Sequence, residues 1–219
     1  MKFSHEYQIA FLMSLSAMFT LAGYEFIRSS STVLFKSAYG AENLPLVMAV
    51  MPVTVFAGVA SYGWVLSKLG PRRTLLVTSI GSALAIFCCY LVLQTGNKQI
   101  TIILFLVKEI YIVLLIEQYW SYINSSLSPS SARRANGAIT GIAGFGGAVG
   151  GWMVGGLAQE SGTESMVLFA ALALLPAAML SNQTYRRYGE PDQSVRNTRK
   201  DHLALSLFCG ATHCAPDPP

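Results

Sequence analysis

Six long apolar runs, separated by short polar segments, dominate the chain. They cover roughly residues 8–35, 44–67, 73–94, 100–126, 134–158 and 164–182. A helix needs about 20 apolar residues to cross a hydrocarbon core about 30 Å thick, and every run is close to that length. None of them alternates apolar with polar residues, as the strands of a membrane barrel do. The pattern predicts an all-α polytopic membrane protein, with a six-span transmembrane bundle in residues 1–188.

Composition agrees with a lipid environment. The chain is 53% hydrophobic and 12% charged, whereas a soluble domain carries about 25% charged residues, and the mean hydropathy is +0.47. The first run follows "MKFSHEYQ" and has no small-x-small cleavage site before its charges. We therefore interpret it as a retained span and not as a signal peptide.

The basic residues are unevenly distributed between the two sides of this bundle. With a cytoplasmic N-terminus, eleven of the fifteen lysines and arginines lie on the inner side, as the positive-inside rule requires. These are Lys2, Lys68, Arg72, Arg73, Arg133, Arg134, Arg186, Arg187, Arg196, Arg199 and Lys200. We expect an integral protein of the cell (inner) membrane with both termini cytoplasmic. Residues 189–219 are interpreted as a partly disordered cytoplasmic tail, and no nucleic-acid partner is expected.

Ionisable residues within the apolar runs are the candidates for function, because a charge in lipid is costly. In the first run, Glu25, Arg28, Ser29, Thr32 and Lys36 fall on one side of a helix that turns about 100° per residue. Such a polar stripe must face the bundle interior or a wet cavity. The alternative is that Glu25 and Arg28 form only a neutral pair that holds the helix in place.

The fourth run has a second polar face. At the same helical turn of about 100° per residue, this face contains Lys108, Tyr111, Gln118, Tyr122 and Ser125. One cation, two phenols and one amide can bind an anion or a polar ring, so this face is a second candidate cavity lining. Alternatively, Lys108 lies near the outer end and extends to the membrane surface.

Two acids of the fourth run lie away from that face. Glu109 is about a right angle from Lys108, and Glu117 is on the opposite side. Glu117 is interpreted as a proton carrier or as a partner for a cation on another helix, such as Arg28.

Glycines repeat every four residues in the fifth run. Gly147, Gly151 and Gly155 form one such series, and Gly146 and Gly150 form another. This spacing allows another helix to approach closely, so we expect a packing role. A nucleotide-binding loop would require a strand before the glycines, and none is predicted.

Two segments carry a family resemblance. The loop "GWVLSKLGPRRTLL" is similar to the cytoplasmic loop motif of the major facilitator superfamily, with Ser67 in place of its acid. The matching residues are Gly63, Lys68, Gly70, Arg72 and Arg73. The segment 119–156 resembles the bacterial and plastid ATP/ADP translocases and their bacterial relatives in that superfamily, on the aromatic start Tyr119–Tyr122, Ala132, Arg133, Arg134, Gly137 and Ile139.

The resemblance implies a transporter. Arg28 matches a cation of the family's first span, but Ser31 and Thr32 stand where the family tends to have a cation and an acid. We therefore expect a relative and not an ATP/ADP exchanger. The family has two six-span halves with the substrate between them, and this chain corresponds to the N-terminal half. The ending "CAPDPP" is typical of a linker cut short or of a shifted reading frame.

The sequence thus favours transport of a small polar or anionic solute by alternating access, with a second copy or a separate C-terminal half as partner. A non-transporting membrane fragment or accessory subunit is the alternative. An enzyme is not expected, because no span carries a hydrolase or metalloprotease motif. No cofactor is predicted, and Cys209, His213 and Cys214 are too few and too irregularly spaced to predict a metal site.

Overall fold

The computed structural model describes residues 2–189, and every regular element within that range is a helix. The all-α prediction is therefore confirmed. A 3-10 turn, Ala41–Asn43, joins the first two of five α-helices. The helices are α1 (Lys2–Tyr39), α2 (Leu44–Leu93), α3 (Ile100–Ser126), α4 (Pro129–Ser161) and α5 (Thr163–Tyr188). The predicted tail beyond Gly189 lies outside the described residues.

The second and third predicted runs belong to one helix that is interrupted by a turn. Gly70 has φ 76° and ψ 168° within α2, a backbone conformation that glycine adopts without steric cost. Pro71 follows directly, and proline suits the first position of a new helical segment. The turn divides α2 into the segments 44–69 and 71–93.

Contacts at the ends of α2 show that it folds back on itself. Val47, near its start, packs with Phe105 near the start of α3. Gln94, just after its end, donates a 3.0 Å hydrogen bond to Glu164 at the start of α5. Residues near Gly70 instead contact Asn182, near the end of α5. The bundle therefore contains six helical segments that run between its two ends.

Four helical stretches are long and apolar enough to cross a membrane: His5–Tyr39, Ala41–Leu93, Ser130–Ser161 and Thr163–Tyr188. The remaining helix, α3, is 27 residues long, but Lys108, Glu109 and Glu117 interrupt its apolar sequence. These stretches support a membrane protein, and their number is smaller than the six spans expected.

The first helix occupies the centre of the bundle, where it packs against α3, α4 and α5. Its inward side chains include Met13 and Ile27, which are almost completely buried. α2 covers α3 and α5 from the outside. The buried polar residues of α1, such as Ser16 and Ser31, therefore lie where several helices meet.

Two glycines of α4 lie very close to the backbone of α1. A Cβ on Gly150 would lie 2.8 Å from the Cα of Ala22, and one on Gly146 would collide with the carbonyl oxygen of Met18. The longer series, Gly147, Gly151 and Gly155, does not make this close contact. Gly147 lies at ordinary contact distance from Leu21, and Gly151 and Gly155 have no described neighbour within 4 Å of an added Cβ. The packing is made by the other four-residue series, because that series is turned toward α1.

We predict that Gly150→Ala destabilises the bundle by about 1–3 kcal/mol, because the new methyl group meets backbone atoms that cannot move aside. Gly151→Ala is the matched control, and it should be neutral or stabilising, since alanine favours the helix by up to about 1 kcal/mol. Thermal unfolding of the two variants in detergent measures the difference. Equal melting temperatures would contradict the assigned contact.

Candidate functional site

Two ion pairs on neighbouring helices form a charged cluster. Arg28 and Glu25 of α1 are 3.3 Å apart, and Lys108 and Glu109 of α3 are 3.1 Å apart. The pairs belong to one cluster, because Arg28 interacts electrostatically with Lys108, and both Arg28 and Glu109 interact with Tyr24 between them. These four charged residues of the apolar runs thus come together, with no net charge.

The two cations of this cluster have different surroundings. The Lys108 side chain is 5% exposed, and its ammonium lies 3.8 Å from the centre of the Phe105 ring, a favourable cation–π contact. The lysine is therefore held within the bundle and does not reach an exposed surface. The Arg28 side chain, in contrast, is 55% exposed although it is paired with Glu25.

The stripe of α1 lies on the side where Arg28 is exposed. Ser29 and Thr32 are half-buried, and Lys36 is exposed. The Thr32 hydroxyl donates a 2.8 Å hydrogen bond to the backbone carbonyl of Arg28, which is the usual local partner of a threonine in a helix. Arg28 and Lys36 are thus the exposed charged residues of this stripe.

The predicted face of α3 is turned into the bundle. Lys108, Tyr111, Gln118 and Tyr122 are all buried. Gln118 and Thr78 of α2 exchange hydrogen bonds of 2.9 and 3.0 Å, so this amide connects two helices. The hydroxyl of Tyr111 makes no hydrogen bond within the described part of the chain, and its ring meets Tyr24 edge-on at 6.2 Å. Within residues 2–189, these four side chains are thus enclosed by the bundle.

Glu117 is exposed on the opposite side of α3, as expected. The helices α1 and α3 do pack together, yet Arg28 pairs with Glu25, and Glu117 forms no ion pair among the described residues. A pairing of Glu117 with Arg28 is therefore not present in this structure.

The cytoplasmic loop motif has one structural contact that the sequence did not indicate. The Arg72 guanidinium donates hydrogen bonds of 3.3 and 3.2 Å to the side-chain oxygen of Asn182 on α5. Gly70 forms the turn of α2. The other motif residues, Gly63, Lys68 and Arg73, are exposed, as are Arg133 and Arg134 near the start of α4. Arg72 thus ties the α2 turn to α5.

Sequence reasoning missed three residues that support the site: Tyr24, Thr78 and Asn182. Tyr24 lies one helical turn before Arg28, a position that an aromatic-plus-charge pattern would have found. Thr78 and Asn182 are single polar residues in apolar runs, and no local pattern predicts their partners 40 and 110 residues away.

Within residues 2–189, no group of three or more His, Cys, Asp and Glu side chains is placed to hold a metal ion. The residues Cys209, His213 and Cys214 lie outside the described part of the chain. In comparisons with known proteins, no family model, no curated protein and no solved structure matches this chain.

We predict that Thr78 and Gln118 are energetically coupled. Single Thr78→Val and Gln118→Leu substitutions should each cost about 1 kcal/mol, and the double variant should lose little more than either, since interhelical hydrogen bonds in membranes contribute about 0.6 kcal/mol on average. A double-mutant cycle from unfolding in detergent measures the coupling. Strictly additive losses would show that the two side chains are not bonded to one another.

We also predict that the two ion pairs respond differently to loss of the acid. Glu109→Gln should cost about 3–5 kcal/mol, because it leaves the buried Lys108 without its partner. Glu25→Gln should cost under about 1 kcal/mol, since Arg28 is exposed. Thermal unfolding of both variants provides the comparison. Adding Lys108→Met to Glu109→Gln should restore stability, and failure to do so would argue against the unpaired charge as the cause.

Proposed function

We propose that this chain is a six-span half of a major facilitator-type transporter, which moves a small polar or anionic solute by alternating access. The exposure of Arg28 is the observation that carries the proposal. Arg28 lies six residues, or about 9 Å, from the middle of the apolar stretch His5–Tyr39. A half-exposed guanidinium at that depth is costly against lipid tails. This face of α1 therefore requires water or a second protein surface.

The reversal of α2 supports six crossings instead of four. The segments 44–69 and 71–93 would be roughly 39 Å and roughly 34 Å long at the α-helical rise. Each is sufficient for a core about 30 Å thick. If α3 crosses as well, its charges are accommodated because Lys108 and Glu109 neutralise one another beside α1.

The proposed orientation follows from the charges at the two ends. Lys68, Arg73, Arg133 and Arg134 lie at the end that holds the α2 turn and the start of α4. By the positive-inside rule this is the cytoplasmic end. The N-terminus of α1 is at the same end, since Glu6 accepts a hydrogen bond from Ser128 just before α4.

In the proposed site, Arg28 attracts the solute and Glu25 holds its guanidinium when the solute is absent. Ser29 and Thr32 line the same face of α1, and Glu117 is the accessible acid on α3. Lys108, Tyr111 and Gln118 lie behind this surface and set its electrostatics and shape. An anionic solute would displace Glu25 from Arg28, so solute binding would alter an ion pair on the exposed side of α1.

A single half cannot enclose a solute, because the superfamily binds its substrates between two halves. The proposed site is therefore completed by a second copy of the chain or by a separate C-terminal half. Rocking of one bundle against the other would then expose Arg28 alternately to the two sides of the membrane.

A second candidate function is a non-transporting membrane subunit. The observation that favours it is charge neutrality: both cations of the cluster already have an acid partner within the chain. In this case the ion pairs would only fix how α1 and α3 pack. Blue-native electrophoresis distinguishes the two functions. A transporter requires an assembly of two halves, so migration as a lone monomer would favour the non-transporting subunit.

We predict that Arg28→Ala abolishes uptake while membrane insertion is retained. Uptake of a panel of labelled anions, from inorganic phosphate to ATP, is measured in vesicles from cells that produce the chain, with vesicles from cells that lack it as blank. Lys98→Gln is the control, because Lys98 lies in the loop before α3 and away from the cluster. If some anion is taken up and Arg28→Ala leaves its rate unchanged, Arg28 is not the solute-binding cation.

A further inference from the structure

We infer that the end of the bundle that holds the α2 turn is a docking surface for the headgroups of anionic phospholipids. This inference rests on the proposal that the bundle lies in a membrane, and it does not depend on transport. It concerns residues far from the Arg28 cluster. The supporting observations are the number of cations at this end, their lack of acid partners among the described residues and their distribution over three chain segments.

Seven cations with described side chains lie at this end. They are Lys68, Arg72, Arg73, Arg133, Arg134, Arg186 and Arg187. The acid described at the same end is Glu6, and it accepts a hydrogen bond from Ser128. The opposite end is mixed, with Lys36 and Lys98 beside Glu42, Glu160 and Glu164. The charges of the described residues are therefore strongly polarised along the axis of the bundle.

Tertiary contacts bring the three segments to one surface. Arg72 reaches Asn182 on the last turns of α5. Tyr188, at the end of α5, donates a 2.8 Å hydrogen bond to Gln8 near the start of α1. The start of α1 is in turn joined to the start of α4 through Glu6 and Ser128. The cations of the α2 turn, the α5 end and the α4 start thus surround one end of the bundle.

These cations are available for a ligand. None of the seven forms an ion pair within residues 2–189, and the one with a side-chain hydrogen bond, Arg72, is bonded to a neutral amide. Arg72 and Arg73 also stand in the first turn after Pro71, where the helix dipole disfavours a cation. An external anion would relieve both this effect and the mutual repulsion of the cations.

The distribution of the cations fits a lipid surface better than a single dissolved anion. All but Arg72 are exposed, and they occupy three separate rims instead of converging on one point. Clusters of four to eight cations just beyond membrane helices bind anionic lipids, at about 1 kcal/mol for each cation. The proposed orientation also places this end at the cytoplasmic leaflet, where anionic lipids are concentrated.

The test uses the full chain in nanodiscs made from an equal mixture of phosphatidylglycerol and phosphatidylcholine. The lipids that remain bound are counted by native mass spectrometry. We expect the wild-type chain to retain phosphatidylglycerol over phosphatidylcholine by on the order of tenfold. The preference should fall as salt is added, because exposed charges are screened.

A charge-neutral variant identifies the residues. Arg133→Gln and Arg134→Gln combined with Arg186→Gln and Arg187→Gln should lose most of the preference for phosphatidylglycerol. Lys36→Gln with Lys98→Gln is the matched control at the other end, and it should retain the preference. The salt titration of the wild-type chain needs no variant, so it decides the question even if the fourfold variant does not fold.

Three results would overturn the inference. The first is equal retention of the two lipids by the wild-type chain. The second is a loss of the phosphatidylglycerol preference in the control variant that equals the loss in the fourfold variant. The third is displacement of the lipid by soluble glycerol phosphate, which would indicate a site for free anions. The outcome is separable from transport, since Arg28→Ala should keep the lipid preference. A chain that does not co-elute with nanodiscs would contradict the membrane proposal itself.

Discussion

The bundle depends on how closely other helices can approach α1. On one side, Gly146 and Gly150 of α4 lie against the backbone of Met18 and Ala22. On another side, a Cβ on Gly23 of α1 would lie 3.1 Å from the Cβ of Ala173 on α5. Small residues at these positions let the helices pack at short distance, which gives van der Waals contact that lipid cannot supply. Because three helices surround α1, its polar stripe is forced to one remaining side.

The same central position explains the two ion pairs. Where α1 meets α3, Lys108 is buried and needs an acid, which its chain neighbour Glu109 supplies. Where α1 is not covered, Arg28 remains exposed and pairs with Glu25 one turn earlier. A buried pair mainly avoids the cost of an unpaired charge. An exposed pair, in contrast, leaves a polar surface that another partner can use.

The two ends of the bundle have different chemistry, and the chain order produces this difference. Each basic segment sits at a turn or helix end on the same side: the turn at Gly70, the α3–α4 connection and the end of α5. The contacts Arg72–Asn182, Tyr188–Gln8 and Ser128–Glu6 hold these segments together. The polar network at this end and the charged cluster deeper in the bundle are thus separate features of the same six helical segments.

The sequence by itself determined the helices and the angular order of residues on each of them. A helix satisfies the hydrogen bonds of its own backbone, so the long apolar runs predicted the all-α fold. The run 100–126, for example, coincides with α3. Helical arithmetic also grouped Lys108, Tyr111 and Gln118 on one face and placed Glu117 opposite them. Only the tertiary structure decided that this face is buried, that Gln118 bonds Thr78, and that Gly146 and Gly150 pack where Gly151 and Gly155 do not. The reason is that the period of a helix is a local property, whereas the neighbour that covers each face is set by contacts between residues far apart in the chain.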